Sequence, residues 1–167
     1  MQDEEITRDP LSFVPIGIIH SPFTDIIGMP IQPNGARDIR GTVKISGEYA
    51  EGLTDIEGFS HLFLIYAFHR CPSYQLMVTP FLDTTPRGVF ATRAPRRPNA
   101  IGLSTVRLIE VKGTTLVVED VDILDGTPLL DLKPYVPVFD SYPNASSGWL
   151  ERSAHSAGSF RSDERFR

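Results

Sequence analysis

The chain has 167 residues, 41% of them hydrophobic, with a formal net charge of −5 and a single cysteine, Cys71. Such a length and composition support one globular domain with a core of its own. They exclude a membrane-spanning helix, because no run of about 18 apolar residues occurs, and an internal disulfide, because a lone thiol has no partner.

Residues 1–12 are polar and acidic and lack an apolar stretch. A flexible lead without a secretion signal is expected there, and a cytoplasmic location with it. Phe13 to His20 (FVPIGIIH) reads as a first strand, ended by Ser21-Pro22. Phe23 to Arg40 is rich in Pro, Gly and Asn and has no periodicity, so a long covering or functional loop is expected. Gly41 to Ser46 alternates like a strand, and Glu48 to Leu53 suggests a short helical turn.

His61 to Phe68 (HLFLIYAF) is the most apolar run. Its length and β-formers predict a central strand buried on both faces. An unbroken strand would put His61 and His69 on one face. His69-Arg70 at its carboxyl end is either a polar terminus or a pair of side chains handed to a pocket. Residues 71–87 are turn-rich, and Gly88 to Thr92 reads as a short strand. Ile101 to Val111 and Thr114 to Ile123 form a predicted hairpin about Lys112-Gly113. Asp125 to Pro137 (DGTPLLDLKPYVP) is punctuated by Gly and three prolines, and Pro143 to Arg167 reads as a weakly structured tail with Trp149 and Leu150 docking locally. Short strands, Pro/Gly-rich connections and little helix predict a mainly β fold, a compact antiparallel β-barrel in a single domain. Neither GxGxxG nor GxxxxGK[ST] is present, which argues against a Rossmann or P-loop site.

Three groups of residues are candidates for chemistry. Phe90 to Ser104 (FATRAPRRPNAIGLS) locks Arg96 and Arg97 between Pro95 and Pro98 and sets Arg93 two residues before Pro95. Proline stiffens the loop, and a stiff arginine gives up less entropy on gripping a carboxylate or phosphate than a mobile one. A solvated charge run is the alternative. Asp131, Lys133 and Tyr135 put an acid, an amine and a phenol within five residues, a set for proton transfer or else a structural Lys–Asp pair. No HExxH or CxxC motif accompanies His20, His61, His69 and His155, so no metal is expected. Cys71 beside His69 reads as a structural thiol.

Together, Gly17 to Phe23 (GIIHSPF), HLFLIYAFHR, GVFATRAPRRPNAIGLS and DGTPLLDLKPYVP resemble the TrmO-type, TsaA-like family across residues 13–142. The resemblance implies a β-barrel methyltransferase that uses S-adenosylmethionine, works as a homodimer, and methylates N6 of threonylcarbamoyl-adenosine beside the tRNA anticodon. Another RNA, a small-molecule acceptor or a non-catalytic binding module are the alternatives. By the same resemblance the cofactor pocket falls on Ile31, Gln32, Pro33, His69, Arg70, Arg93, Leu103, Asp125, Gly126, Thr127 and Pro128. Arg93 is expected to clamp the cofactor carboxylate, Asp125 to face its ammonium or ribose, and Phe23 or Ile31 to cover the adenine. Asp131, Lys133 and Tyr135 become reaction-centre candidates. Arg96, Arg97 and Asn99 are assigned to the RNA, with the two arginines facing outward to anticodon-loop phosphates. Ala100 stands where many members carry a second proline.

Overall fold

A computed structural model describes residues 9–166. Six strands close into an antiparallel barrel in the order β1-β2-β7-β6-β3-β8. They are β1 (Gly17–His20), β2 (Arg40–Ile45), β3 (His61–Ala67), β6 (Ile101–Lys112), β7 (Thr115–Glu119) and β8 (Thr127–Pro134). Two short strands, β4 (Met77–Val78) and β5 (Arg87–Gly88), pair with each other outside the barrel. Among the described residues the one α-helix, α1, is the single turn Pro137–Asp140; the other helical pieces are 3-10 turns. None is long and apolar enough to cross a membrane.

The barrel follows from alternation. Ile19, Val43, Ile45, Leu62, Leu64, Val106, Leu116, Val118 and Leu129 point inward and are buried. On β3 the alternate residues Phe63, Ile65 and Ala67 are only half-buried. The expectation of burial on both faces is therefore corrected: a closed barrel has one interior, and among the described residues the outer face of β3 is left half-buried. The expected pairing of His61 and His69 on a face also fails, because β3 stops at Ala67 and His69 sits in the turn beyond.

Two other assignments change. Gly88 to Thr92 is not a strand. After β5, Val89–Ala91 winds into a 3-10 turn, held where Arg97 Nη1 and the Thr92 hydroxyl both donate to the Val89 carbonyl, at 3.0 and 2.8 Å. Conversely, the proline-punctuated Asp125 to Pro137 supplies a full strand, β8, which pairs with β1 on one side and β3 on the other. Pro128 is tolerated near its start and Pro134 ends it, positions where a missing N–H costs the ladder least.

One charged row stitches three strands. Glu119 of β7 lies directly across from Arg40 on β2 and from Arg107 on β6. Its carboxylate accepts from Arg40 Nε at 2.8 Å and also pairs with Arg107. The Arg40 hydrogen bond leads in holding the Glu119 carboxyl below its ordinary range. This support is present at neutral pH and is lost as acid protonates the group.

Residues 143–166 carry more structure than their composition suggested. Three 3-10 turns (Gly148–Arg152, Ala154–Gly158 and Glu164–Phe166) bury Ala157 and Phe166. Ser162 exchanges backbone hydrogen bonds with the long loop, Gly28 N to its carbonyl and its N to the Met29 carbonyl, both 2.9 Å. Phe166 joins Val78, Val89, Ala94 and Phe81 in a second apolar cluster.

Gly102 marks the tightest spot in the wall. A Cβ there would overlap the ring of Tyr66, itself 6% exposed and packed on Phe68 edge to face. Gly102→Ala should therefore destabilise the fold by about 1–3 kcal/mol, the usual cost of overpacking. Urea denaturation should show a lower midpoint with an unchanged slope; an unaltered midpoint would mean that the Tyr66 ring is free to move.

Candidate active-site cleft

A cleft of about 870 Å³ opens at the end of the barrel where β3 finishes and β6 and β8 begin. Its volume lies in the range of small-molecule sites. The barrel contributes Tyr66, Gly102, Ser104, Asp122, Leu124 and Thr127. Ile31 and Gln32 come from the long loop, and His69 and Arg70 from the turn after β3. Phe90 to Pro95 and Arg97 form another side, and Trp149, Leu150 and Phe166 of the C-terminal segment complete the rim.

The loops are fastened to one another. Arg93 Nη1 donates to Gln32 Oε1 at 3.1 Å, joining the arginine loop to the long loop. Trp149 Nε1 donates to the Ala91 carbonyl at 2.8 Å, and Arg87 lies over the indole ring. Thr127 is buried; its hydroxyl donates to the Leu124 carbonyl at 2.7 Å and reaches His69 Nδ1 at 3.4 Å. Burial and the neighbouring Arg70 cation hold the His69 ring below its ordinary pKa, so it is neutral at neutral pH.

The floor carries a polar chain. Ser104 Oγ donates to Asp122 Oδ1 at 2.7 Å and stands 3.0 Å from the Tyr66 hydroxyl. A serine hydroxyl has one hydrogen to give, so Tyr66 is the donor in the second bond. Burial pushes the Asp122 carboxyl up to about 6, with Ser104 and Arg93 acting against the rise. Burial and the Asp122 charge likewise raise the Tyr66 phenol well above its ordinary value.

Among the expected cofactor residues, Ile31, Gln32, His69, Arg70, Arg93, Leu103 and Thr127 meet in this cleft. Pro33, Asp125, Gly126 and Pro128 do not line it. Pro33 opens the 3-10 turn Pro33–Ala36, and Gly126 takes the positive φ of the turn into β8. Pro128 stands opposite Ile18 of β1. Asp125 turns to His20 Nδ1 and the Ser21 backbone N–H, both 3.1 Å away. Those hydrogen bonds, the Ser21 one first, hold its carboxyl below the ordinary range. Phe23 does not line the cleft either; its carbonyl accepts from the Asp125 N–H at 2.7 Å.

The arginine loop is arranged differently from the expected division. Arg93 is the exposed one, while Arg96 and Arg97 are half-buried. Arg97 does not reach outward: its guanidinium donates to the Val89 and Thr92 carbonyls at 3.0 and 2.9 Å and covers Phe90. The Arg96 carbonyl accepts from Gln75 N–H at 3.2 Å, and Asn99 is exposed. Asp131, Lys133 and Tyr135 lie away from the cleft on β8 and just past its end. Asp131 and Lys133 pair at 2.8 Å, the structural alternative read from the sequence. Tyr135 packs edge to face on Phe63. Among the described residues no cluster of His, Cys, Asp or Glu suits a metal.

Sequence reasoning missed Tyr66, Ser104, Asp122 and the C-terminal contributors. An acid inside the apolar run Val121 to Leu124 was the available signal for Asp122.

Residues 18–141 match the model of the tRNA-methyltransferase O N-terminal domain. The chain belongs to the TrmO family. It is 56% identical to a probable S-adenosyl-L-methionine-binding protein of Pyrococcus abyssi, over 93% of this chain and 85% of that one. The tRNA (adenine(37)-N6)-methyltransferase of Escherichia coli is 36% identical over 83% of the chain, and the chain spans 63% of it. The corresponding Mus musculus enzyme is 40% identical over 79% of the chain, which spans 32% of that protein. A crystal structure of TrmO from Pseudomonas aeruginosa superposes with a TM-score of 0.71 at 38% identity, covering 84% of this chain and 63% of that one. The barrel is thus the TrmO barrel. Trp149, Leu150 and Phe166 lie beyond the matched segment yet line its cleft.

Trp149 is the one tryptophan in the chain. Its emission should shift when adenosylmethionine fills the cleft, and Trp149→Phe should abolish the signal. Constant emission at saturating ligand would place binding elsewhere.

Proposed function

We infer that the chain is an S-adenosylmethionine-dependent tRNA methyltransferase, acting on N6 of threonylcarbamoyl-adenosine beside the anticodon and therefore working in the cytoplasm. The observation that carries this reading is the convergence of Ile31, Gln32, His69, Arg70, Arg93, Leu103 and Thr127 on one cleft, in a chain whose relatives include proteins named tRNA (adenine(37)-N6)-methyltransferase.

The residues present suit the cofactor. Arginines for a carboxylate, an acid for a cation, and the apolar surfaces of Ile31, Phe68 and Leu124 for a purine lie around one space. When bound, adenosylmethionine supplies an electrophilic methyl group. Arg93, braced by Gln32, grips the carboxylate; a guanidinium suits that task because it offers paired donors. Neutral His69 and the Thr127 hydroxyl offer polar contacts without adding charge. The Phe90 to Arg97 loop and the Trp149 turn keep water from the reacting centre, and alignment of the acceptor nitrogen is most of what the protein contributes. Asn99 and Arg96, on the loop beside the cleft, are the candidates for contacting the anticodon loop.

A homodimer is part of the same reading. The outer face of β3, β6 and β8 presents Phe63, Ile65, Ile101 and Leu103, with Leu103 54% exposed beside the cleft. Asp131, Lys133 and Tyr135 flank this apolar face. A second copy seated there would bring its own Asp131–Lys133 pair and Tyr135 toward the acceptor, where a carboxylate, amine or phenol can take the departing proton.

Incubating the protein with adenosylmethionine and threonylcarbamoylated tRNA should add one methyl group to that nucleoside, read by mass spectrometry of the digest, and leave unmodified tRNA unchanged. Arg93→Ala should weaken cofactor binding by about tenfold or more, the worth of a charge-assisted pair. Unchanged nucleosides from a protein that binds the cofactor would refute the tRNA assignment. Sedimentation should give a dimer for the native chain and monomers for Ile65→Glu; a native monomer would remove the paired arrangement.

A further inference from the structure

The cleft must balance a ligand that carries both signs of charge. Its cations are plentiful: Arg70, Arg93 and Arg97 all line it. Among the described residues its acids are Asp122 and Asp163. Asp163 is committed to Arg165, whose Nη2 and Nε lie 2.7 and 2.9 Å from its oxygens. Asp125, the acid expected to face the cofactor, is held outside the lining by His20 and Ser21. Asp122 differs from both: among the described residues it has no ion pair, and a neutral hydroxyl, Ser104 Oγ, holds its carboxylate at 2.7 Å.

We propose that Asp122 is the counter-ion that receives the cationic part of adenosylmethionine, with Ser104 and Tyr66 as the relay that presents its carboxylate to the cleft. This rests on the cofactor reading above. A carboxylate set among the buried neighbours Val121, Ile123 and Leu124 is costly unless hydrogen-bonded and paired. The hydroxyl relay supplies the hydrogen bonds. A sulfonium or ammonium entering the cleft supplies the missing charge, and in that low-dielectric setting the attraction is strong. Ser104 gives its hydrogen to Asp122 and accepts from Tyr66, so both hydroxyls are used, while the carboxylate, which also accepts from its own backbone N–H, keeps acceptor sites for the ligand.

The pH dependence follows from the charge. Asp122 must be ionised to attract a cation, and its carboxyl sits at about 6 in the free protein. Affinity therefore rises from about pH 5 to about pH 7.5, and binding near the midpoint releases a proton to the buffer. The other ionisable groups lining this space are Tyr66 on β3, which keeps its proton, the guanidinium groups of Arg70, Arg93 and Arg97, the Cys71 thiol, Asp163, which is paired with Arg165, and His69. His69, held below its ordinary value, becomes a cation at acid pH and opposes the same ligand, so His69→Gln separates its part.

Calorimetry with adenosylmethionine and adenosylhomocysteine tests this on the whole chain, in two buffers of different ionisation enthalpy. Asp122→Asn keeps the acceptor for Ser104 while removing the charge. It should bind adenosylmethionine about tenfold or more weakly at about pH 7.5, lose the proton release, and melt no lower than the native chain. Weakening confined to adenosylmethionine assigns Asp122 to the sulfonium; equal weakening of both ligands assigns it to the ammonium, and either supports the proposal. Should Asp122→Asn fold poorly, Ser104→Ala carries the test: loss of its hydrogen bond should move the pH midpoint of binding upward. Native-like affinity and proton release in Asp122→Asn, or an unmoved midpoint in Ser104→Ala, overturns the proposal while leaving the cofactor reading intact. Failure of the native chain to bind either ligand overturns both.

Discussion

Barrel closure needs every strand, and β8 is the last of the six to take its place along the chain. β8 pairs with β1 along one edge and with β3 along the other, so the sheet has no free edge only while β8 is in place. The closure also sets the cleft. Leu124 and Thr127, at the entry to β8, are delivered to the barrel mouth beside Tyr66 of β3 and Ser104 of β6. The register shift between Ile65 and Tyr66 inserts an extra residue into β8, which re-aims its later side chains as bulges do.

Once the mouth is defined, irregular segments build on it. The long loop, the arginine loop and the C-terminal segment are held by the second apolar cluster, by backbone bonds of Ser162 and by side chains at strategic points. Gln32 meets Arg93, Trp149 meets Ala91, and Ser162 meets the backbone at Met29. Such bonds organise rather than provide bulk stability, which the apolar interior supplies. The arginine loop illustrates the division of labour. Arg97 is used to hold the loop in shape, and the shape leaves Arg93 at the rim of the cleft. A cluster of three cations is thus not three equivalent ligand contacts.

Charge placement in the floor is the opposite case. Asp122, Ser104 and Tyr66 come from three separate segments, and their hydrogen-bonded chain exists only because Gly102 leaves room for the Tyr66 ring. The acid that was easiest to see, Asp125 in an ordinary turn motif, faces His20 and Ser21. The acid that faces the cleft lay hidden in an apolar run.

The sequence by itself determined the mainly β architecture, the hairpin about Lys112-Gly113, the family and the loops that make the cleft. Those depend on local alternation, turn residues and contiguous motifs, all carried within short windows. It did not determine β8, whose prolines masked a strand that its two neighbours stabilise, nor the turn at Val89–Ala91, which Arg97 holds from eight residues away. The direction of Asp122 and Asp125, the outward face of β3 and the closing of the cleft by Trp149, Leu150 and Phe166 were decided by tertiary structure alone. Each depends on partners more than ten residues distant, whose approach is set by closure of the barrel and not by any local propensity.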